Sequence, residues 1–195
     1  MKRLAAAGAV LLLSGCSSLS LPPRHADDAC RVLAQRPQWQ HPLLSAEARW
    51  QVSPSIIMAT VYHESSFRPE ARPRRIRYLG FIPGPRPSSA YGYAQAIDGT
   101  WDEYRQREGR GYARRDDFAD AVDFIGWYHQ GTRQSMGAAA DDMRMLYLTY
   151  HEGRNGYRAG RHLQKPWLLA YTDKVVATEA RYREQLASCL LPAQP

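Results

Sequence analysis

The sequence contains no run of about twenty apolar residues, the length a helix needs to cross a hydrocarbon core, so no segment reads as membrane-spanning. It also lacks any alternating apolar–polar stretch long enough to make a useful strand, which argues against a sheet-based architecture. The 6 histidines show none of the paired spacing of a metal centre. His63-Glu64 and His151-Glu152 each begin a zinc-protease-like sequence, but Phe67 and Asn155 stand where the second histidine belongs, which excludes a metallopeptidase. No glycine-rich phosphate loop and no serine–histidine–aspartate order is readable. No cofactor is implied.

What is present begins at the N-terminus. Met1-Lys2-Arg3 precedes an apolar run over 4–13. A basic patch followed by a short apolar segment is an export signal. The run ends in Leu13-Ser14-Gly15-Cys16, which resembles the lipobox of bacterial lipoproteins. That resemblance implies cleavage before Cys16 and a lipid on its sulfur; the alternative is an ordinary secretory signal with an incidental cysteine. Ser17 stands where an aspartate would mark inner-membrane retention, which favours the outer membrane and places the protein on the periplasmic side of the cell envelope. Residues 1–15 are then a signal peptide, 16–28 a lipidated flexible tether rich in Ser and Pro, and 29–195 one domain large enough for its own core. Two cysteines remain, Cys30 and Cys189. Export permits a disulfide, and this pair would staple the two ends of the domain; the alternative is two thiols that never meet.

The formal charge is +7, of which Lys2 and Arg3 supply two. A modest positive surface suits an anionic polymer or anionic lipid headgroups, and an exported lipoprotein has no call for nucleic acid. Arginine dominates, with Arg68, Arg72, Arg74, Arg75, Arg77 and Arg86 clustered in a Pro- and Gly-rich segment, 68–89. This reads as a long irregular loop, either merely solvated or in contact with anionic partners.

The rest of the pattern predicts a compact, mainly α domain. Ser53-Pro54 is a helix start, with Ile56, Ile57, Thr60, Val61 and Glu64 on its inward face. Further helices are expected over 100–107, from Asp116 or Asp117 to Gly131, over 139–151, and over 166–190. The second of these turns Phe118, Val122, Ile125 and Tyr128 inward. The third turns Met143, Leu146, Tyr147 and Tyr150 inward, and the last Leu169, Val176, Ala180 and Leu186. An acid on the apolar face at Glu64 is the oddity, because a buried carboxylate is costly unless paired or protonated.

Three short pieces stand out: Glu64-Ser65-Ser66-Phe67, Tyr91-Gly92-Tyr93-Ala94-Gln95 and Tyr150-His151-Glu152-Gly153. Their order and spacing resemble the soluble lytic transglycosylase family, whose domain is related to goose-type lysozyme and which shows Glu-Ser, then Gly-Leu-Met-Gln, then Tyr-Asn-Ala-Gly. The likeness runs over 46–186. Here Tyr93-Ala94 replaces the middle pair of the second motif, and His151-Glu152 replaces Asn-Ala of the third.

The resemblance implies a lysozyme-like fold and cleavage of peptidoglycan glycan strands without water. Glu64 is then the catalytic acid that protonates the glycosidic oxygen, and afterwards the base that takes a proton from the sugar's 6-hydroxyl, closing a 1,6-anhydro ring. Tyr150 would hold or polarise Glu64 by hydrogen bond, and Ser65 and Gln95 would position sugar or backbone groups. Tyr93 fits a sugar-stacking wall and equally fits the core. The residues leave other readings open: Glu64 as a salt-bridged core acid, a lysozyme-like hydrolase, or a non-catalytic envelope lipoprotein that binds peptidoglycan.

Overall fold

The computed structural model describes residues 21–190; Cys16 and the lipobox lie outside them. The fold is mainly α, with eight α-helices among the described residues: α1 (Ala29–Gln35), α2 (Gln40–Trp50), α3 (Pro54–Ser65), α4 (Asp98–Arg107), α5 (Phe118–Met136), α6 (Met143–Glu152), α7 (Arg154–Arg158) and α8 (Pro166–Cys189).

Helix α3 starts where the sequence places it. The Ser53 hydroxyl accepts from the Ile56 amide at 3.4 Å and Pro54 occupies the first turn. No single face of α3 points inward: every residue from Pro54 to Val61 is buried, as expected of a helix apolar all round. Helices α2, α5 and α8 pack around it. The approach of α2 to α5 depends on Gly126, where a Cβ would lie 2.5 Å from the Trp50 ring. Asp123 ties the same region together. It accepts from the Trp50 indole at 3.0 Å and the Tyr104 hydroxyl at 2.6 Å, and pairs with Arg49 at 3.2 Å and Arg110 at 3.4 Å. A buried carboxylate so surrounded is satisfied rather than strained.

Several boundaries differ from the sequence reading. Helix α4 starts two residues earlier than expected, at Asp98. Helix α5 passes through Gly131 and ends at Met136, with Gly137 in the left-handed region. Gly131 serves packing instead, since its Cβ position lies 2.5 Å from the Arg154 guanidinium. Helix α6 begins at Met143 rather than near 139, because the Asp142 carboxylate caps the Met145 amide at 2.9 Å; a good cap outweighs the helix propensity of three alanines. The inner stripe of α8 is Leu168, Val175, Tyr182 and Leu186, so Leu186 faces inward as expected, two sites are one position off, and Tyr182 stands in for Ala180. Leu168-Leu169 and Val175-Val176 are apolar doublets, and a doublet does not reveal which member faces the core.

The segment 68–89 is not wholly irregular. Arg77–Tyr78 pairs antiparallel with Ile82–Pro83, with Tyr78 opposite Ile82. Leu79 and Gly80 both have positive φ, 50° and 79°, and the Phe81 amide closes the turn onto the Tyr78 carbonyl at 3.2 Å.

The end of the expected tether is held to the domain. The Arg24 amide donates to Gln35 Oε1 at 2.9 Å, Arg36 donates to the Leu21 carbonyl at 2.7 Å, and Arg181 donates to the Asp27 carbonyl at 3.0 Å. Asp28 then caps α1.

Cys30 and Cys189 are bonded, joining α1 to the end of α8 across 159 residues of sequence. In the chain-entropy account, closing a loop of this length stabilises by about 5 kcal/mol. Replacing both cysteines by serine should lower stability by about 2–5 kcal/mol, read as a drop in denaturation midpoint without loss of the native fold. An unchanged midpoint would show that the staple contributes nothing.

Candidate active site

Glu64 lies in the last turn of α3, where the chain leaves the core. The next residues turn sharply: Ser66 and Phe67 both have positive φ, 51° and 57°, and Phe67 is buried against Trp39 and Tyr62. This double turn ends the helix with Glu64 on the floor of a cleft of about 430 Å³. Its walls include Gln95, Phe124, Tyr128, Tyr150 and Glu152. Glu64 is half-buried and lines the cleft. Burial pushes its pKa up to about 7, against a partial pull downward from the Tyr147 hydroxyl. The carbonyl end of α3 acts in the same direction as burial, since the negative end of a helix disfavours a carboxylate.

The hydroxyl that pulls the Glu64 pKa downward is that of Tyr147, one turn before Tyr150. Tyr150 donates instead to the Ala94 carbonyl at 2.6 Å and so clamps the second motif to the third while forming part of the cleft wall. Gln95 has φ of 48°. Its amide donates to the Ala71 and Gly92 carbonyls, both at 2.8 Å, which uses both amide hydrogens and leaves an oxygen that can accept. Gly92 is required by its surroundings: φ is 78° and a Cβ would lie 2.0 Å from the Arg115 carbonyl oxygen. Ser65 is buried and donates to the Val61 carbonyl at 3.0 Å, away from the cleft-lining set.

Tyr93 belongs to the core. It packs edge-on against Trp39 and Phe118, which stack on each other at 3.9 Å. A ring so enclosed offers no face to a sugar. Besides Tyr150, the cleft is lined by the aromatic rings of Phe124 and Tyr128 of α5, which the sequence reading placed, where it named them, only as core. Their period on α5 is that of any inward residue, so the sequence carried no separate signal.

The cleft holds a second carboxylate. Glu152 lies near Lys165 at 2.5 Å, His151 at 3.0 Å and Arg161 at 4.0 Å. Burial alone would raise its pKa, but the hydrogen bonds from Lys165 and His151 outweigh it and hold the carboxyl below its ordinary value. Two carboxyl groups in one cleft are thus driven in opposite directions, a pattern that separates acid from carboxylate roles. Among the described residues no group of three or more His, Cys, Asp or Glu side chains is placed to hold a metal ion.

A family model described as "Transglycosylase SLT domain" matches residues 4–189. No curated protein and no solved structure matches the chain.

The raised pKa of Glu64 has a consequence for stability. The folded protein holds this proton more tightly than the unfolded chain, whose glutamate titrates near 4.5. Protonated Glu64 therefore costs nothing at low pH, and stability is lost as pH rises from about 4.5 to about 7. Glu64→Gln carries no such proton, so the variant should become progressively more stable relative to the parent across that window, with a constant difference above it. Denaturation midpoints of both proteins against pH measure this; parallel profiles would place Glu64 in an environment that does not shift it.

Proposed function

The chain belongs to the SLT-domain transglycosylase family, and on that premise we propose that it is a membrane-anchored murein lytic transglycosylase. It cleaves the β-1,4 bond between N-acetylmuramic acid and N-acetylglucosamine and leaves 1,6-anhydro ends. The observation that carries the reading is Glu64, a carboxyl on a cleft floor with its pKa at about 7. Near neutral pH such a group is protonated often enough to donate and ionised often enough to accept, as the two halves of the reaction require.

In the first half Glu64 gives its proton to the glycosidic oxygen as the bond to C1 breaks. Positive charge develops on the ring, and the substrate's own N-acetyl group stabilises it, as in substrate-assisted glycosidases. In the second half the carboxylate takes the proton of the 6-hydroxyl, whose oxygen closes onto C1. The Tyr147 hydroxyl stabilises the carboxylate between the two steps. Gln95 and Tyr150 keep the second and third motifs in register around the sugar, and Phe124 and Tyr128 supply apolar wall.

One observation favours a hydrolase instead. An ionised carboxylate in the same cleft is what a water-activating second group would be, and Glu152 is ionised there. Its side chain is only 3% exposed and is committed to Lys165, His151 and Arg161, which supports a structural role. The products discriminate. Purified peptidoglycan digested by the protein should release muropeptides one water lighter than lysozyme products. Glu64→Gln should lower the rate by about 10²–10⁴ with the fold intact, and activity of the parent should fall as pH rises through about 7. Hydrated products would move the enzyme to the hydrolase reading, and full activity in folded Glu64→Gln would remove Glu64 from catalysis.

The anchor is part of the same proposal. No helix among the described residues is long and apolar enough to cross a membrane, and Leu13-Ser14-Gly15-Cys16 supplies a lipid site on the periplasmic side, in the outer membrane. Labelled fatty acid should enter the protein and not Cys16→Ala; equal label in both, or label in neither, refutes the anchor.

A further inference from the structure

The turn in the arginine-rich segment exposes more apolar surface than the proposed catalysis uses. Leu79 is 82% exposed, Phe81 72% and Tyr78 54%. All three lie in or beside the hairpin turn, and Leu79 is held at a positive φ of 50°, a conformation unfavourable for a bulky side chain. Solvent-exposed apolar residues placed together on a strained tip are evidence of something that covers them.

The charges around the tip indicate what that is. Arg74, Arg75, Arg77 and Arg86 surround it and, with Phe81 and Pro83, line a cavity of about 730 Å³. None of these four arginines forms an ion pair among the described residues; Arg75 and Arg86 donate to the Gly84 and Pro73 carbonyls. An apolar tip ringed by guanidinium groups matches the edge of a bilayer with anionic headgroups: aromatic and aliphatic side chains enter the acyl boundary while arginines stay at the phosphates.

The position of the chain's N-terminal part is independent of that composition. Pro22 lies beside Arg68, Arg72 and Arg86 across a cavity of about 500 Å³. The hydrogen bonds from Arg24, Arg36 and Arg181 fix residues 21–28 to the domain. Five residues lie between Cys16 and Pro22, so the six steps of chain reach at most about 20 Å. A lipid on Cys16 therefore puts the membrane on the side of the molecule where the arginine segment begins and ends.

We propose that the hairpin over 76–83 is a second membrane contact, whose tip at Leu79 and Phe81 inserts into an anionic phospholipid surface while Arg74, Arg75, Arg77 and Arg86 bind its phosphates. It rests on the anchored reading only for the side on which the bilayer lies. Two contacts at separate points fix the orientation of the domain, which one lipid anchor cannot do.

The test places an environment-sensitive NBD fluorophore on Leu79→Cys in the full-length protein, reconstituted on vesicles of phosphatidylcholine with or without phosphatidylglycerol. Peptide mass mapping first asks whether Cys16 carries lipid; if it does not, the same measurement is made on Cys16→Ala/Leu79→Cys, so the anchor and the hairpin fail separately. On phosphatidylglycerol vesicles the emission should shift to the blue and be quenched by nitroxide-labelled lipid, and high salt should weaken both effects. Replacing Arg74, Arg75 and Arg77 with glutamine, all exposed, should weaken insertion by roughly 100-fold, from about 1 kcal/mol of surface attraction per charge. Water-like emission on both kinds of vesicle would overturn the proposal. So would a shift produced by purified peptidoglycan and not by anionic vesicles, which would assign the arginines to substrate capture.

Discussion

A carboxyl group set at the end of a helix buried on every side is the constraint on which the rest of the molecule depends. Helix α3 can be surrounded by α2, α5 and α8 only because Pro54 to Val61 offer no obligatory polar face. Ile56, Ile57, Met58 and Val61 each contribute about 1.5–3 kcal/mol by leaving water. That burial holds the helix in place while its last turn carries a group that burial disfavours. The turn at Ser66 and Phe67 then keeps the helix from continuing, and Phe67 locks the turn into the aromatic cluster around Trp39. Glu64 is rigid for the same reason that it is uncomfortable.

The buried polar groups around α3 show how the protein avoids adding charge beside that site. His63 is bonded to the Tyr171 and Thr178 hydroxyls, and burial, with Arg181 and Lys174 nearby, lowers its pKa to about 4. His129 faces Thr60, and burial lowers it to about 3. Both are neutral at physiological pH, so the core near Glu64 holds no imidazolium to draw its proton away. Cations pair instead with Glu152 in the cleft and with Asp123 of α5. A raised acid beside a lowered one is thus produced by where the positive charges are allowed to stand.

The segment 68–89 links the floor of the cleft to the surface. It leaves α3 just after Glu64, passes through the arginines and the hairpin, and returns at Ser88 and Ala90 to the rim of the cleft. Its first residues are tied to the second motif, since Ala71 accepts from both the Gly92 amide and the Gln95 side chain. Orientation of the hairpin and shape of the cleft are therefore properties of one stretch of backbone, and an orienting contact at the tip also steadies the cleft rim.

What the sequence determined by itself was whatever local chemistry decides. The Ser53-Pro54 start of α3, the helical class, the family and the Cys30–Cys189 pairing were all legible, because caps, periodicity, motif order and a leftover cysteine pair act over short range or by counting. Glu64 was singled out for the same reason, as an acid in an apolar pattern. Tertiary structure decided the rest. Which member of Leu168-Leu169 faces inward, whether Gly131 ends α5 or admits Arg154, and whether Tyr93 meets sugar or Trp39 all depend on what comes from distant parts of the chain. Tyr147 rather than Tyr150 reaches Glu64 for that reason too: both lie on one face of α6, and only the closeness of Ala94 to Tyr150 commits the second hydroxyl elsewhere. Residue type sets what a side chain can bond to, but the bond it makes is set by which partner the packed core brings within about 3 Å.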